Sequence, residues 1–283
     1  MLAEGDWFAD RQVVSFLGRG GRAEVYAVRE PLTKRFEALK ILFPAYADDP
    51  AERDQFAHEY VVTRDLEHPN ILAPTELGEA GGTLWLSFPV VAQHSASALV
   101  PRRGAVPELG KVETVLREAA SALDYAHAHQ VVHLDVKPAN VLIAAGPERR
   151  AYLSDFGSAE EIRDGAEHAN RLASLPYAAP ELLAARRGDY GQVGPATDQY
   201  ALAASAMELL TGKPPFPKGT TWAVAGAQLK SPPPSARSRA RWLPPAVDSV
   251  LYKALAKAPG ARYPSCGAFA EVLVRVLAYR DTL

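Results

Sequence analysis

His133-Leu134-Asp135-Val136-Lys137-Pro138-Ala139-Asn140, followed by Ser154-Asp155-Phe156-Gly157, is the stretch on which the reading of this chain turns. Polar groups crowd between apolar runs: Val131-Val132 before them, Val141-Leu142-Ile143 and Tyr152-Leu153 among them. Asp135 and Asn140 alone could be turn formers. That does not explain a Lys, two Asp and an Asn recurring with strand-like flanks. Phosphoryl chemistry does. A hydroxyl nucleophile needs a carboxylate to orient it and take its proton, as Asp135 could. A triphosphate brings Mg²⁺, a hard cation that takes oxygen ligands such as Asn140 and Asp155. The transferring group needs positive charge nearby, which Lys137 and Lys40 can supply.

Working outward, the first ninety residues read mainly as strands, over Val13–Leu17, Glu24–Val28, Phe36–Leu42 and Leu84–Val91. A glycine-rich turn, Gly18, Gly20 and Gly21, lies between the first two and lets backbone N–H groups approach phosphate. A strand follows it, not a helix, so it is not a dinucleotide fingerprint. Ala38 and Lys40 share a strand face. Asp49-Pro50 with Glu52 starts a helix predicted over Pro50–Leu66. Glu59 falls on its inward stripe, and a buried acid needs a partner, for which Lys40 is the natural choice. Beyond residue 92 the period becomes helical, with helices predicted over Lys111–Ala128, Asp198–Leu210, Val247–Ala256 and Gly267–Tyr279. Ser231–Trp242 reads as a surface connector. His127 and His129, two apart, point to different faces and make no zinc pair.

Composition narrows the class. The chain has 283 residues, with 48% hydrophobic and 23% charged, as in globular proteins. With 31 basic against 33 acidic residues, general nucleic-acid binding is not expected. The single Cys266 excludes an intrachain disulfide and suits a reducing compartment. Its place at a helix start reads as a small buried residue rather than a redox centre. Neither a signal peptide nor a membrane span is visible, and a cytoplasmic location is expected.

In order along the chain stand a glycine-rich loop, a strand lysine, a helix glutamate, the His133–Asn140 loop, Asp155-Phe156-Gly157 and Ala179-Pro180-Glu181. This set resembles the protein kinase family, specifically the eukaryotic-like Ser/Thr kinases of bacteria. The likeness runs from about Phe16 to Tyr263, with His68-Pro69-Asn70-Ile71 and Pro214-Pro215-Phe216 as further landmarks. It implies an α+β, bilobal protein-kinase fold in a single kinase domain over 1–283: a β-rich lobe with one helix over 1–88, a hinge over 89–92 and a helical lobe over 93–283, with ATP between the lobes.

By the same resemblance, Gly18, Gly20 and Gly21 cover the phosphates. Val25, Ala38, Phe88, Pro89 and Val91 surround the adenine. Lys40 holds phosphate and pairs with Glu59, Asp135 is the base, Lys137 contacts the γ-phosphate, and Asn140 and Asp155 hold Mg²⁺. Glu181 pairs with Arg262, Asp198 braces the catalytic loop, and His133 and Phe156 have structural roles. The implied partners are a protein substrate with Ser or Thr acceptors and a regulatory protein, with dimerisation through the small lobe as an analogy.

Three departures stand out. Ala23 replaces the loop's third glycine. Leu134 replaces the arginine that receives an activation-loop phosphate in the family. Thr63 and Pro74 stand where larger apolar residues are expected between the lobes. Between Gly157 and Tyr177 the only hydroxyls are Ser158 and Ser174, so activity is expected not to require phosphorylation there. The rival reading is a pseudokinase, a nucleotide-binding regulatory module. A small-molecule phosphotransferase is disfavoured by the glycine hairpin and the Ala179-Pro180-Glu181 segment.

Overall fold

Six strands form the first sheet, in the order β1-β2-β3-β4-β6-β5 and antiparallel throughout. They are β1 (Trp7–Phe8), β2 (Arg11–Arg19), β3 (Ala23–Arg29), β4 (Phe36–Leu42), β5 (Glu76–Ala80) and β6 (Thr83–Pro89). The structure, a computed structural model, describes residues 1–90, 92–102, 104–144, 150–161, 174–185, 193–217 and 219–279. Two compact units result. Met1–Glu67, Leu72–Val91 and Asp155–Gly157 make one; His68–Ile71, Ala92–Ser154 and Ser158–Leu283 make the other.

Register assigns the two faces of the sheet their tasks. Cross-strand partners share a face, so Val25–Lys40–Leu86 and Ala27–Ala38–Phe88 form two rows on one side. The opposite side carries Tyr26, Val28, Leu39, Ile41 and Trp85, which pack with Val13 into a buried apolar cluster. Leu2, Phe8 and Ala9 close over that cluster. β6 stops at Pro89, two residues before the predicted end, because proline has no N–H for the ladder. β5, Glu-Leu-Gly-Glu-Ala, has little strand propensity and was not anticipated. Pairing with β6 makes it a strand, and Gly78 admits the Trp85 indole: an added Cβ would stand 2.2 Å from that ring.

Helix α1 (Pro50–Thr63) begins as the sequence indicates, with the Asp49 carboxylate accepting from the N–H groups of Ala51 and Glu52. It ends at Thr63, not Leu66. A tight turn, Leu66 N–H to Thr63 carbonyl at 3.0 Å, turns Leu66 into the core instead of prolonging the helix.

The helical unit is built on α2 (Leu109–Ala128), whose predicted stripe Val112, Val115, Leu116, Ala119, Leu123 and Ala126 is buried. The other helices are α3 (Pro180–Ala185), α4 (Pro195–Thr211), α5 (Thr221–Lys230), α6 (Ala246–Ala254) and α7 (Cys266–Ala278). α2 packs against α4 and α7. α4 is Ala-rich and buried almost all round, which lets neighbouring backbones come close. α3 and α5 are short and were not anticipated; α5 is capped by the Thr220 hydroxyl accepting from Ala223 N–H. The small strands are β7 (Ala92–Ser95), β8 (Val131–Val132), β9 (Val141–Ala144), β10 (Ala151–Leu153) and β11 (Glu160–Glu161). β10, β9 and β7 form one antiparallel sheet, and β11 pairs with β8. Residues 231–242 form no helix or strand.

One ion pair ties this unit together. Arg262 meets Glu181 in a bidentate contact, Nη1 to Oε1 at 2.6 Å and Nη2 to Oε2 at 2.8 Å, with both side chains almost wholly buried. The carbonyls of Ala196, Ala256 and Lys257 take the remaining guanidinium donors, so all five N–H groups are satisfied. Thr197 Oγ1 donates to Glu181 Oε1.

Replacing Arg262 by Met strands the Glu181 charge and is expected to cost about 3–5 kcal/mol in denaturant unfolding. Gly212, the αL cap of α4 at φ +80°, has no room for a side chain: a Cβ would lie 2.6 Å from the Pro101 carbonyl. Gly212→Ala is therefore expected to lower stability by more than the ~1 kcal/mol of an αL alanine alone, with a correspondingly lower melting temperature.

Candidate active site

The sheet unit holds a three-way charge cluster. Lys40 Nζ lies 2.7 Å from Glu59 Oε2 and 3.0 Å from Asp155 Oδ1. β4 presents the lysine on the Val25–Lys40–Leu86 row, and α1 turns Glu59 inward, only 3% of its side chain exposed. Burial works against the Lys40 ammonium, but the carboxylates of Asp155 and Glu59 outweigh it and hold its pKa above the ordinary lysine range. Burial pushes the Glu59 carboxyl up, opposed by Lys40. The lysine thus stays charged across the physiological range. Asp155 adopts φ +65°, a left-handed conformation rare outside glycine. Gln55, also on α1, donates to the Gly157 carbonyl at 3.1 Å, and Phe156 between them is fully buried.

The β2–β3 hairpin places Gly18, Gly20 and Gly21 together, closed by Gly20 N–H donating to the Ala23 carbonyl at 2.8 Å. None of the three has a positive φ, and a Cβ on Gly18 or Gly21 would meet nothing within 4 Å. The fold itself does not demand glycine there. Val25 shares the Lys40 row and Ala38 and Phe88 lie in the neighbouring row on the same face, with Pro89 at the end of β6. Val91 lies outside the described residues. Ala23 is buried, as are Thr63 and Pro74.

In the helical unit the loop after β8 converges on Asp198, which α4 buries completely. Its Oδ2 accepts from His133 N–H at 2.8 Å and from His127 Nε2 at 2.7 Å; its Oδ1 accepts from Leu134 N–H at 2.8 Å. Burial disfavours this carboxylate's charge, yet the hydrogen bonds it accepts from His127 and the His133 N–H, with the favourable electrostatic interaction of the two imidazoles, bring its pKa below the usual range. These bonds hold Leu134 at φ +64°. His133 Nδ1 accepts from Asp135 N–H at 3.2 Å, so the ring proton sits on Nε2, 3.1 Å from the Ser154 carbonyl.

Asp135 is the hub of this half. Its Oδ2 lies 2.6 Å from Lys137 Nζ and 3.2 Å from Asn140 Nδ2, and its Oδ1 accepts from Ser174 N–H at 3.1 Å. Lys137 also reaches Ser174 Oγ at 2.8 Å. The Asn140 amide nitrogen is committed to Asp135, which leaves the amide oxygen as its ligand atom. In the sequence Ser174 is only a hydroxyl before Tyr177; its contacts to both Asp135 and Lys137 are visible only in three dimensions. His127, set aside as a zinc ligand with His129, proves to be the partner of Asp198. The residues predicted for the site thus fall into two groups: Lys40, Glu59 and Asp155 in one unit, and Asp135, Lys137 and Asn140 in the other.

Comparison with known proteins identifies the family. The family described as "Protein kinase domain" matches residues 11–271. The serine/threonine-protein kinase PknJ of Mycobacterium tuberculosis is 39% identical over 282 residues, 98% of this chain and 47% of that protein. PknF of the same organism is 41% identical over 281 residues, 96% of this chain and 57% of the relative. The chain therefore spans about half the length of the curated relatives it matches. The crystal structure of the M. tuberculosis PknI kinase domain superposes with a TM-score of 0.74 at 36% identity, covering 97% of this chain and 99% of that one. With its α+β architecture and this match along nearly its whole length, the chain belongs to the protein kinase family.

Proposed function

We propose that this chain is the catalytic part of a Ser/Thr protein kinase that transfers the γ-phosphoryl group of Mg·ATP to a protein hydroxyl. The Lys40–Glu59–Asp155 cluster carries the reading. A lysine held charged between two acids is suited to phosphate oxygens, and Asp155 keeps 46% of its side chain exposed. Asp155 and the amide oxygen of Asn140 are the oxygen donors that a hard cation takes. Bound there, Mg²⁺ would neutralise phosphate charge.

Asp135 would orient the acceptor Ser or Thr hydroxyl and take its proton as that oxygen bonds to the γ-phosphorus and the bond to the β-phosphate oxygen breaks. Lys137, 2.6 Å from Asp135, would place a positive charge beside the group in transit. The glycines of the β2–β3 turn, which the fold does not need as glycines, suit close approach of backbone to phosphate. Val25, Ala38, Phe88, Pro89 and Val91 would line the adenine. The rival reading as a nucleotide-binding module without turnover has no observation in its favour, since all six polar residues it would dispense with are present.

Leu134 is buried and apolar, and its backbone is held by Asp198. It can make no pair with a phosphate. Activity is therefore proposed not to depend on phosphorylation between Gly157 and Tyr177, although residues 162–173 lie outside the described part. A protein substrate and a regulatory protein partner belong to the proposal, as does action in the cytoplasm, where ATP is available. No helix among the described residues is long and apolar enough to cross a membrane.

Radiolabelled transfer from Mg·ATP to a generic basic protein tests the reading. Asp135→Asn is expected to lower kcat by roughly 10²–10⁴-fold, the usual worth of a general base, and Lys40→Met to abolish measurable transfer, with label on Ser or Thr in the wild type. Equal transfer by Asp135→Asn would remove the assignment. Phosphatase-treated wild type and Ser158→Ala are each expected to keep their turnover within about twofold. A loss on the scale of a missing catalytic group, ~10²-fold, would show that phosphorylation is required after all.

A further inference from the structure

Outside the site already described, one group of side chains has the makings of a metal centre. Asp124 and His127 are three apart on α2, hence on one face, and Cys266 opens α7, which packs against α2. One ligand atom from each of the three lies within 4.8 Å of the others. Cys266 is fully buried and the His127 side chain is only 9% exposed. We propose that Asp124, His127 and Cys266 form a binding site for a soft divalent cation, Zn²⁺ in particular.

The chemistry of the donors selects that class. A carboxylate, an imidazole and a thiolate are the mixed O, N and S set of zinc, whereas Mg²⁺ and Ca²⁺ take oxygen alone. Tetrahedral zinc spaces its ligand atoms roughly 3.5 Å apart, so the group needs to contract by about an ångström. Charge balances: the Asp124 carboxylate and a Cys266 thiolate offset the two positive charges, and the thiol proton leaves to solvent on binding. With three protein ligands, water would complete the shell.

The outer shell is also in place. His127 Nε2 is taken by Asp198 Oδ2 at 2.7 Å, which leaves Nδ1 as the lone pair the ring can offer without breaking that bond. Carboxylate–histidine–metal is the arrangement that fixes the tautomer and orientation of a ligating imidazole. Asp124 is oriented too, its two oxygens accepting from the N–H groups of Cys266 and Gly267, each at 2.9 Å. Those bonds hold the carboxylate against the start of α7 and leave lone pairs for a cation. A cation on Nδ1 makes Nε2–H a stronger donor to Asp198, the carboxylate that holds the His133 and Leu134 backbone. The site would therefore stiffen the anchor of the catalytic loop.

Equilibrium dialysis of the whole chain against Zn²⁺, with metal analysis, provides the first test, and substitution by Co²⁺ the second. One equivalent of zinc is expected, with a thiolate-to-cobalt charge-transfer band and a rise in melting temperature on adding zinc. Cys266→Ala should fold, lose the band and bind zinc at least 100-fold more weakly. Asp124→Asn, which keeps an oxygen for the α7 cap but loses the charge, should weaken binding about tenfold. The proposal falls if no zinc is retained at one equivalent, if the cobalt complex lacks the sulfur band, or if Cys266→Ala binds as the wild type does. Should Cys266→Ala fail to fold, the cobalt band of the wild type and the Asp124→Asn affinity decide alone.

Discussion

A single buried carboxylate governs the polar group of the helical unit. Asp198 has no solvent of its own and is held instead by two backbone N–H groups and one imidazole. A carboxylate so satisfied can stay ionised inside a protein core. In exchange it fixes two consecutive residues of the loop, one of them in a left-handed conformation that leucine does not choose by itself. The direction in which Asp135 leaves that loop follows from the Leu134 turn. Everything Asp135 then touches, Lys137, Asn140 and Ser174, depends on a constraint set from α4.

The sheet unit uses the opposite device. There the charges are held chiefly by one another, an ammonium between two acids, with the Phe156 N–H also serving Glu59. Such a cluster is sensitive to the position of α1, since Glu59 rides on that helix and Gln55 of the same helix holds Gly157. A shift of α1 along its axis would alter both contacts together. The polar link is therefore also a mechanical one, joining a helix, a strand and the Asp155–Gly157 segment.

Much of this was legible in the residues. The α2 stripe, the Asp49-Pro50 start of α1 and the Lys40–Glu59 pair follow from periodicity, capping and the need of a buried acid for a partner. The Glu181–Arg262 and Asp198 contacts were legible only through the family likeness, because their partners stand far apart in the chain. What stayed hidden has a common cause. β5 is a strand because β6 is beside it, and Gly78 is glycine because of the Trp85 ring. The role of His127 depends on a carboxylate in another helix, and that of Ser174 on two side chains from another loop. None of these leaves a mark in local sequence, since each is decided by what folds against it.

Asp155–Gly157 belongs to the sheet unit although the chain reaches it only after β7, α2 and the loop beyond have been laid down. During synthesis the strands, α1, Lys40 and Glu59 emerge early, but the third member of their cluster arrives late. Until then Lys40 has one acid rather than two. The first unit is thus not a module that the ribosome can finish and release before starting the second. Its completion waits for a segment threaded back from the other.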